Sequence, residues 1–246
     1  MKNFNFETDI LPSKELHKNS TPNSQGVIEY LKIKEGGYPT PFDHNRCQSI
    51  SPIRQGWLEY KLSQQELQYV WERIKNKKQN NSNELAGNAI DSYVLSDENN
   101  WFFLNTLCPL MDIYGNTYAN LGNQVPVVKP YPYFLARWWV NFQKQNTFNP
   151  LHFHDGVYSF VIWMKIPIEF RDQNKDNSTN TPRKSAFCFR FTDMMGMIQS
   201  YTYQLGKGDE ATLLFFPSKL QHTVYPFYNC DEDRITVSGN ISLDDR

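Results

Sequence analysis

From Gly122 onward the chain is cut into six short segments dense in aromatic and β-branched residues. They are F-L-A-R-W-W-V-N-F (134–142), V-Y-S-F-V-I-W-M-K-I (157–166), S-A-F-C-F-R-F (185–191), Q-S-Y-T-Y-Q-L (199–205), A-T-L-L-F-F (211–216) and R-I-T-V-S-G-N-I-S-L (234–243). Each has the length of one strand and is closed by turn residues. Short strands at this spacing build a sandwich or a barrel, not a βαβ sheet. A polar insertion, R-D-Q-N-K-D-N-S-T-N-T-P-R-K (171–184), separates two of them.

The first half reads differently. Residues 1 to about 60 are polar, with scattered Pro and Gly and a few short apolar runs, and suggest an irregular arm or short strands wrapping a larger body. In S-Q-Q-E-L-Q-Y-V-W-E-R-I, Ser63 stands as N-cap and Glu66 as its capping-box partner, and Leu67, Val70, Trp71 and Ile74 fall on one helical face. A second helix is expected in N-N-W-F-F-L-N-T-L-C-P-L-M-D-I-Y, broken or kinked near Pro109, which cannot donate a backbone hydrogen bond. The chain thus reads as a single domain over 1–246. An N-terminal arm and helical support region fills 1–125 and a β core fills 126–246.

Charge and cysteine content narrow the function classes. Net charge is −1, from 25 basic and 26 acidic residues that are well mixed. Without a basic stripe to displace counterions, electrostatic capture of nucleic acid or of an anionic membrane is not expected. Cys47, Cys108, Cys188 and Cys230 form no C-x-x-C pair and read as reduced thiols. No stretch of about 18 apolar residues occurs, and the N-terminus lacks the apolar run of a secretory signal. A cytoplasmic location is expected.

N-P-L-H-F-H-D-G (149–156) places two of the chain's five histidines one residue apart. On a strand His152 and His154 point the same way and Phe153 the other. His222, in F-F-P-S-K-L-Q-H, follows a later strand. A β-roll brings such positions face to face. Three imidazoles that leave open coordination positions suit Fe(II), Zn or Cu, and a carboxylate in place of one of them suits non-haem iron. A single histidine on a strand is more often a hydrogen-bonded surface or core residue; the pattern carries weight only jointly.

Taken together these segments resemble the iron- and 2-oxoglutarate-dependent oxygenases of the double-stranded β-helix (jelly roll, cupin-like) superfamily. The resemblance rests on Asn149-Pro150-Leu151-His152-Phe153-His154, on Ser159 to Pro167, on Phe216-Pro217-Ser218 with His222, and on Arg234-Ile235-Thr236-Val237-Ser238-Gly239-Asn240. It covers about residues 126–243, with a weaker echo in L-A-G-N-A-I-D-S-Y (85–93). It implies a mainly β fold, with the double-stranded β-helix core flanked by N-terminal α-helices. It also implies Fe(II), 2-oxoglutarate and O2 as cofactor and cosubstrates, and hydroxylation as the reaction.

Residue by residue, His152 and His222 match the family's metal-binding histidines, and His154 stands where most members have Asp or Glu. The third ligand is therefore His154, or Asp155 if a bulge re-aims it against strand parity. Arg234 stands where the family places the base that pairs the distal carboxylate of 2-oxoglutarate, gripping it with two parallel hydrogen bonds. Thr236, on the same strand face, adds a hydroxyl, and Lys165 is a rival anchor. Arg137, Trp139 and Asn141 share one strand face, and Asn141 is a further candidate contact.

The N-terminal helices and the 171–184 loop are candidate lids. Two other readings stay open: a three-histidine cupin-type dioxygenase or isomerase that does not use 2-oxoglutarate, and a non-enzymatic β-roll binding module. The substrate, whether a small molecule or a peptide, is not encoded in these motifs, and neither is the oligomeric state.

Overall fold

The computed structural model describes residues 55–77, 79–80, 90–127, 129, 131–176 and 181–244. The chain divides into two units, Met1–Ser51 and Pro52–Arg246. The first lies outside the described residues, as does the 85–89 part of the echo noted above, so only the second is described.

Eleven strands among the described residues form two antiparallel sheets. The larger contains β1 (Leu58–Lys61), β2 (Gln79–Asn80), β3 (Ile90–Val94), β4 (Tyr133–Gln143), β6 (Tyr158–Lys165), β9 (Thr212–Pro217) and β11 (Arg234–Leu243), in the order β1-β9-β6-β11-β4-β3-β2. The smaller contains β5 (Asn149–His152), β7 (Phe187–Thr192), β8 (Ile198–Tyr203) and β10 (Gln221–Val224), in the order β5-β10-β7-β8. The two facing sheets make the sandwich that the strand spacing implies, and with it the jelly roll that the resemblance implies. β1, β2 and β3 come from the region read as arm and helical support, yet they extend both edges of the larger sheet.

The larger sheet is buried on both faces, which is why β6 is a nearly continuous apolar run. Tyr158, Phe160, Ile162 and Met164 point to one side, into a core shared with the helices. Val161 and Trp163 point to the other, into the core between the sheets with Phe187 and Phe189. β9 divides likewise, Leu213 and Phe215 against Leu214 and Phe216.

On the helical side, α1 (Gln64–Lys75) carries the expected capping box. The backbone N–H of Glu66 donates to Ser63 Oγ, and the Glu66 carboxylate accepts from the Ser63 N–H at 2.7 Å. The same buried carboxylate accepts from Thr106 at 2.7 Å and Tyr60 at 3.0 Å, tying β1, α1 and the next helix together. That helix is interrupted as expected. Phe103–Leu107 is wound as π-helix before α2 (Cys108–Thr117), because Pro109 has no N–H to return to the preceding turn. The 171–184 segment begins with a short helix, α3 (Phe170–Asn174), and Asn174 holds Lys184 through paired side chain to backbone hydrogen bonds.

Gly156 closes the turn between the two histidines and β6 at φ +97°, where an added Cβ would stand 2.7 Å from the Ile241 carbonyl. Glycine alone meets both conditions. No helix among the described residues is long and apolar enough to cross a membrane.

Candidate metal centre and active site

The inner face of the larger sheet is a ladder of polar rungs. Alternation along β4 and β11 turns every second residue into the space between the sheets, and the register pairs Arg234 with Gln143, Thr236 with Asn141, Ser238 with Trp139 and Asn240 with Arg137. All eight line one cavity of about 210 Å³. The histidines close it from the smaller sheet, where β5 and β10 are paired so that His152 stands directly opposite His222. His154 lies two residues past His152, and its N–H donates to the Ser218 carbonyl at 2.9 Å.

One nitrogen from each of the three imidazoles lies within 4.8 Å of the others. Their rings are 4.3 Å (His152–His222), 5.0 Å (His154–His222) and 5.1 Å (His152–His154) apart, centre to centre. Asp155 is not in the cluster: its carboxylate is exposed and lies 3.3 Å from the Lys219 ammonium. The cluster is therefore three imidazoles, and His154 reaches it from beyond the end of β5, where strand parity no longer applies.

The protonation pattern fits a metal. His152 Nδ1 is 2.7 Å from the Pro150 carbonyl and His222 Nδ1 is 3.0 Å from that of Leu220. A carbonyl only accepts, so both rings carry their proton on Nδ1 and turn a bare Nε2 inward. Burial holds His152 and His222 below the ordinary imidazole pKa, for His222 reinforced by the other two rings. His154 is lowered to about 4 by burial and then by His152, with Asp155 opposing. Three rings kept neutral against each other, with Nε2 of His154 and His222 only 3.2 Å apart, form a donor set that one divalent cation satisfies.

Packing fixes the rings. Phe187 stacks on His222 at 5.6 Å, Phe216 meets it edge-on at 5.2 Å, and Trp139 meets His154 edge-on at 5.8 Å. Behind them the residues of the S-x-V, F-P-S and S-x-N segments meet: Ser218 Oγ donates to Ser159 Oγ at 2.9 Å, and Ser159 donates to Asn240 Oδ1 at 2.8 Å. Because Ser218 also takes the His154 N–H through its carbonyl, this buried chain holds the third histidine in place.

Arg234 is 1 % exposed, and no carboxylate pairs with it among the described residues. Burial lowers its pKa to about 10, so it remains a cation at neutral pH. Its fork is not open as the sequence suggests. Gln143 Oε1 accepts from both Nε (3.1 Å) and Nη2 (2.7 Å), the Ser185 carbonyl accepts from Nη1 and the Tyr225 carbonyl from Nη2. Of five N–H groups, one on Nη1 is uncommitted among the described residues. The edge that would grip a carboxylate with two parallel bonds is held by Gln143. Gln143 extends the Arg137, Trp139, Asn141 face by one further alternation, so parity alone gives its orientation; its role appears only once Arg234 is seen opposite it.

The remaining candidates fall as follows. Thr236 and Asn141 are neighbours, Asn141 Nδ2 donating to Thr236 Oγ1 at 3.4 Å, while the buried Asn141 Oδ1 has no partner among the described residues. Lys165 leaves the sheet to pair with Glu232 at 2.7 Å and does not line the cavity. Neither the helices nor the described part of 171–184 line it, because the helices cover the outer face of the larger sheet.

Residues 137–240 match the family model described as "Putative 2OG-Fe(II) oxygenase". Among solved structures, the chain is similar to an oxidoreductase of the 2OG-Fe(II) oxygenase family from Burkholderia pseudomallei (12% identity, 73% of this chain and 78% of that one, TM-score 0.47). It is also similar to a prolyl-4-hydroxylase from Pseudomonas putida (13%, 77% and 94%, TM-score 0.44). A third is HygX from Streptomyces hygroscopicus with nickel, 2-oxoglutarate and hygromycin B bound (10%, 78% and 84%, TM-score 0.48). No curated protein sequence matches the chain. The matched segment contains the three histidines, Arg234 and every rung of the polar ladder, and over that segment the chain is similar to the 2OG-Fe(II) oxygenases.

Proposed function

We propose that this oxygenase holds its iron with His152, His154 and His222, places 2-oxoglutarate between that iron and Arg234, and hydroxylates a small-molecule or peptide substrate. The observation that carries this reading is the pairing of a three-imidazole cluster with a buried arginine that has no acidic partner among the described residues, both facing one cavity. A buried cation without a counter-charge is costly, and a carboxylate brought in by a cosubstrate relieves it.

Bound iron would supply O2 activation coupled to oxidative decarboxylation of 2-oxoglutarate to succinate and CO2, and with it the oxidising power to hydroxylate a C–H bond. The protein supplies position. The Pro150 and Leu220 carbonyls orient His152 and His222, while Arg234 offers one N–H and its charge to the distal carboxylate. Thr236 Oγ1 and the amide of Asn141 line the path between them. Phe187, Phe216 and Trp139 keep water from the histidine rings. Cys108, Cys188 and Cys230 are free thiols, which supports a reducing, cytoplasmic setting.

Anaerobic titration with Fe(II) and 2-oxoglutarate tests the assignment through the weak visible charge-transfer band of the chelated pair. The band should form in the wild type, and 2-oxoglutarate affinity should fall by about tenfold or more in Arg234→Ala. In His152→Ala and His222→Ala iron uptake itself should fail. A second reading, a three-histidine dioxygenase without 2-oxoglutarate, draws on one observation, the commitment of Arg234 to Gln143, Ser185 and Tyr225. Iron bound tightly with no band at saturating 2-oxoglutarate would establish that reading and overturn the first.

A further inference from the structure

The two walls of the cavity differ in what they offer a bound dianion. From the larger sheet come Arg234, Gln143, Thr236 and Asn141. From β5, β7 and β10 of the smaller sheet come Asn149, His152, Phe187, His222 and Val224. Apart from the histidines, Asn149 is the one polar side chain those strands present to the cavity among the described residues.

Register fixes where it stands. Across β5 and β10, His152 pairs with His222 and Asn149 with Val224, two residues further along β10 and so roughly 7 Å away. The next residue of β10 is followed by the turn to β11, and its carbonyl, that of Tyr225, accepts from Arg234 Nη2. Asn149 therefore lies between the histidine cluster and the Arg234 guanidinium, as Asn141 and Thr236 do on the opposite wall. The backbone alone anchors it there, since the Asn149 carbonyl accepts from Thr223 Oγ1 at 2.8 Å.

The side chain itself is uncommitted. Asn149 Oδ1 is shielded from solvent without a partner, and no hydrogen bond ties the amide nitrogen among the described residues. A carboxamide free at both ends can turn about its last bond and present either its oxygen or its N–H groups to a ligand. Left unmet inside the protein such a group is costly, and a polar ligand atom relieves it.

Arg234 makes the need specific. Gln143, Ser185 and Tyr225 take four of its five N–H groups, so it brings one hydrogen bond to a carboxylate that can accept about four. The others must come from neighbours. Thr236 Oγ1 accepts from Asn141 and keeps its own proton to give from the larger sheet. On the smaller sheet the donor is Asn149.

We propose that Asn149 binds the distal carboxylate of 2-oxoglutarate, its amide N–H completing from the smaller sheet the grip that Arg234 and Thr236 begin from the larger. This deepens the oxygenase reading above and rests on it. The first letter of N-P-L-H-F-H is then a cosubstrate residue, and the four residues of β5 carry both a metal-binding histidine and a cosubstrate contact. A 2-oxo acid without the distal carboxylate gains nothing from Asn149, which makes it a residue that selects the dicarboxylate.

The test titrates 2-oxoglutarate, and separately pyruvate, into the full chain loaded anaerobically with Fe(II), following the charge-transfer band. Pyruvate has the same chelating 2-oxo acid head and no distal carboxylate. Asn149→Ala should weaken 2-oxoglutarate about tenfold to a hundredfold, the loss of a hydrogen bond to a charged group, and leave pyruvate as it was. Asn149→Asp should weaken 2-oxoglutarate further, because it sets one carboxylate against another, and Asn149→Ser, which keeps a donor, should recover part of the loss. Fe(II) affinity and Tm should not move in Asn149→Ala, whose lost amide ties nothing else in place.

Equal 2-oxoglutarate affinity in wild type and Asn149→Ala would overturn the proposal. So would an equal loss for pyruvate, which would give the amide to the chelating head. A fall in Fe(II) affinity or in Tm large enough to account for the lost binding would make Asn149 a support for His152 instead. Those outcomes leave the oxygenase reading standing. If the wild type binds Fe(II) and shows no band with either 2-oxo acid, that reading fails, and this proposal with it.

Discussion

The two faces of the larger sheet are both hidden from solvent, and they are built on opposite rules. Toward the helices, the sheet presents Trp138, Val140, Tyr158, Phe160, Ile162 and Phe215, and the one acid among them, Glu66, has four hydrogen-bonding groups around it. Toward the smaller sheet, the same strands present Arg234, Gln143, Thr236, Asn141 and Asn240. Buried polar groups cost free energy unless paired, so the first face stabilises the fold and the second draws on that stability. Trp138 and Trp139 state the contrast in one dipeptide: consecutive residues of β4, both buried, one in the helical core and one on the cavity wall.

Substituting each tryptophan therefore separates folding from function. Trp138 stacks on Phe102 at 5.3 Å with nearly parallel rings and lies 6.4 Å from Tyr69. Trp138→Ala leaves a void among packed rings and should cost about 3–5 kcal/mol in urea unfolding. Trp139→Ala widens a space that already exists, so its stability loss should be about half as large or less. Its effect should instead appear in metal affinity, lowered about tenfold as His154 loses its edge-on support. Equal losses of stability in the two variants would erase the distinction between the faces.

The same alternation decides what the sequence discloses. Strands long enough to alternate were legible: 134–142 is observed as Tyr133–Gln143 and 234–243 as Arg234–Leu243. Parity alone then placed Arg137, Trp139 and Asn141 on one face and Arg234 with Thr236 on another, and both line the cavity. The strands that carry His152 and His222 are not bounded by any sequence pattern, and His154, read on one strand with His152, lies past its end. β5 and β10 have four residues each, and β5 begins Asn-Pro, so neither shows a period. What defines them is the pairing of His152 with His222 across 70 residues, which no local pattern encodes. The Gln143 grip on Arg234 is hidden for the same reason. The Ser218, Ser159, Asn240 chain was visible as motif letters whose shared purpose is spatial.

On the helical face the strongest polar anchor is Glu66, and its behaviour with pH is a sharper probe than its removal. Burial pushes the carboxyl pKa up, but hydrogen bonds from Ser63, Thr106 and Tyr60 outweigh it and hold the value below the ordinary 4.5. A depressed folded pKa means that the ionised carboxylate stabilises the fold above the unfolded value, and that this contribution is lost as pH falls from near 4.5 through the folded pKa. Glu66→Gln should therefore be less stable than wild type at pH 7, by about 1–2 kcal/mol, from a weakened capping box and charge-assisted bonds. The two proteins should converge in stability as the pH is lowered past that range. A difference independent of pH would show that the carboxylate's charge contributes nothing there.

The opposite sign is expected on the cavity face. Among the described residues Asn141 Oδ1 is buried without a partner and its Nδ2 has one long bond of 3.4 Å, to Thr236. A buried acceptor with no protein partner is a standing cost of about 1–3 kcal/mol at most, part of which an apolar side chain of similar volume removes. Asn141→Leu should leave the protein as stable as wild type or stabilise it by up to about 1 kcal/mol, a rise of a few degrees at most in Tm for a domain of this size. In exchange, 2-oxoglutarate affinity should fall severalfold, because the substitution removes the polar group that waits between Thr236 and the metal site. A variant that is destabilised while binding 2-oxoglutarate normally would mean that Asn141 belongs with Trp138 as a structural residue. The rule that every second residue of β4 serves the site would then end at Trp139.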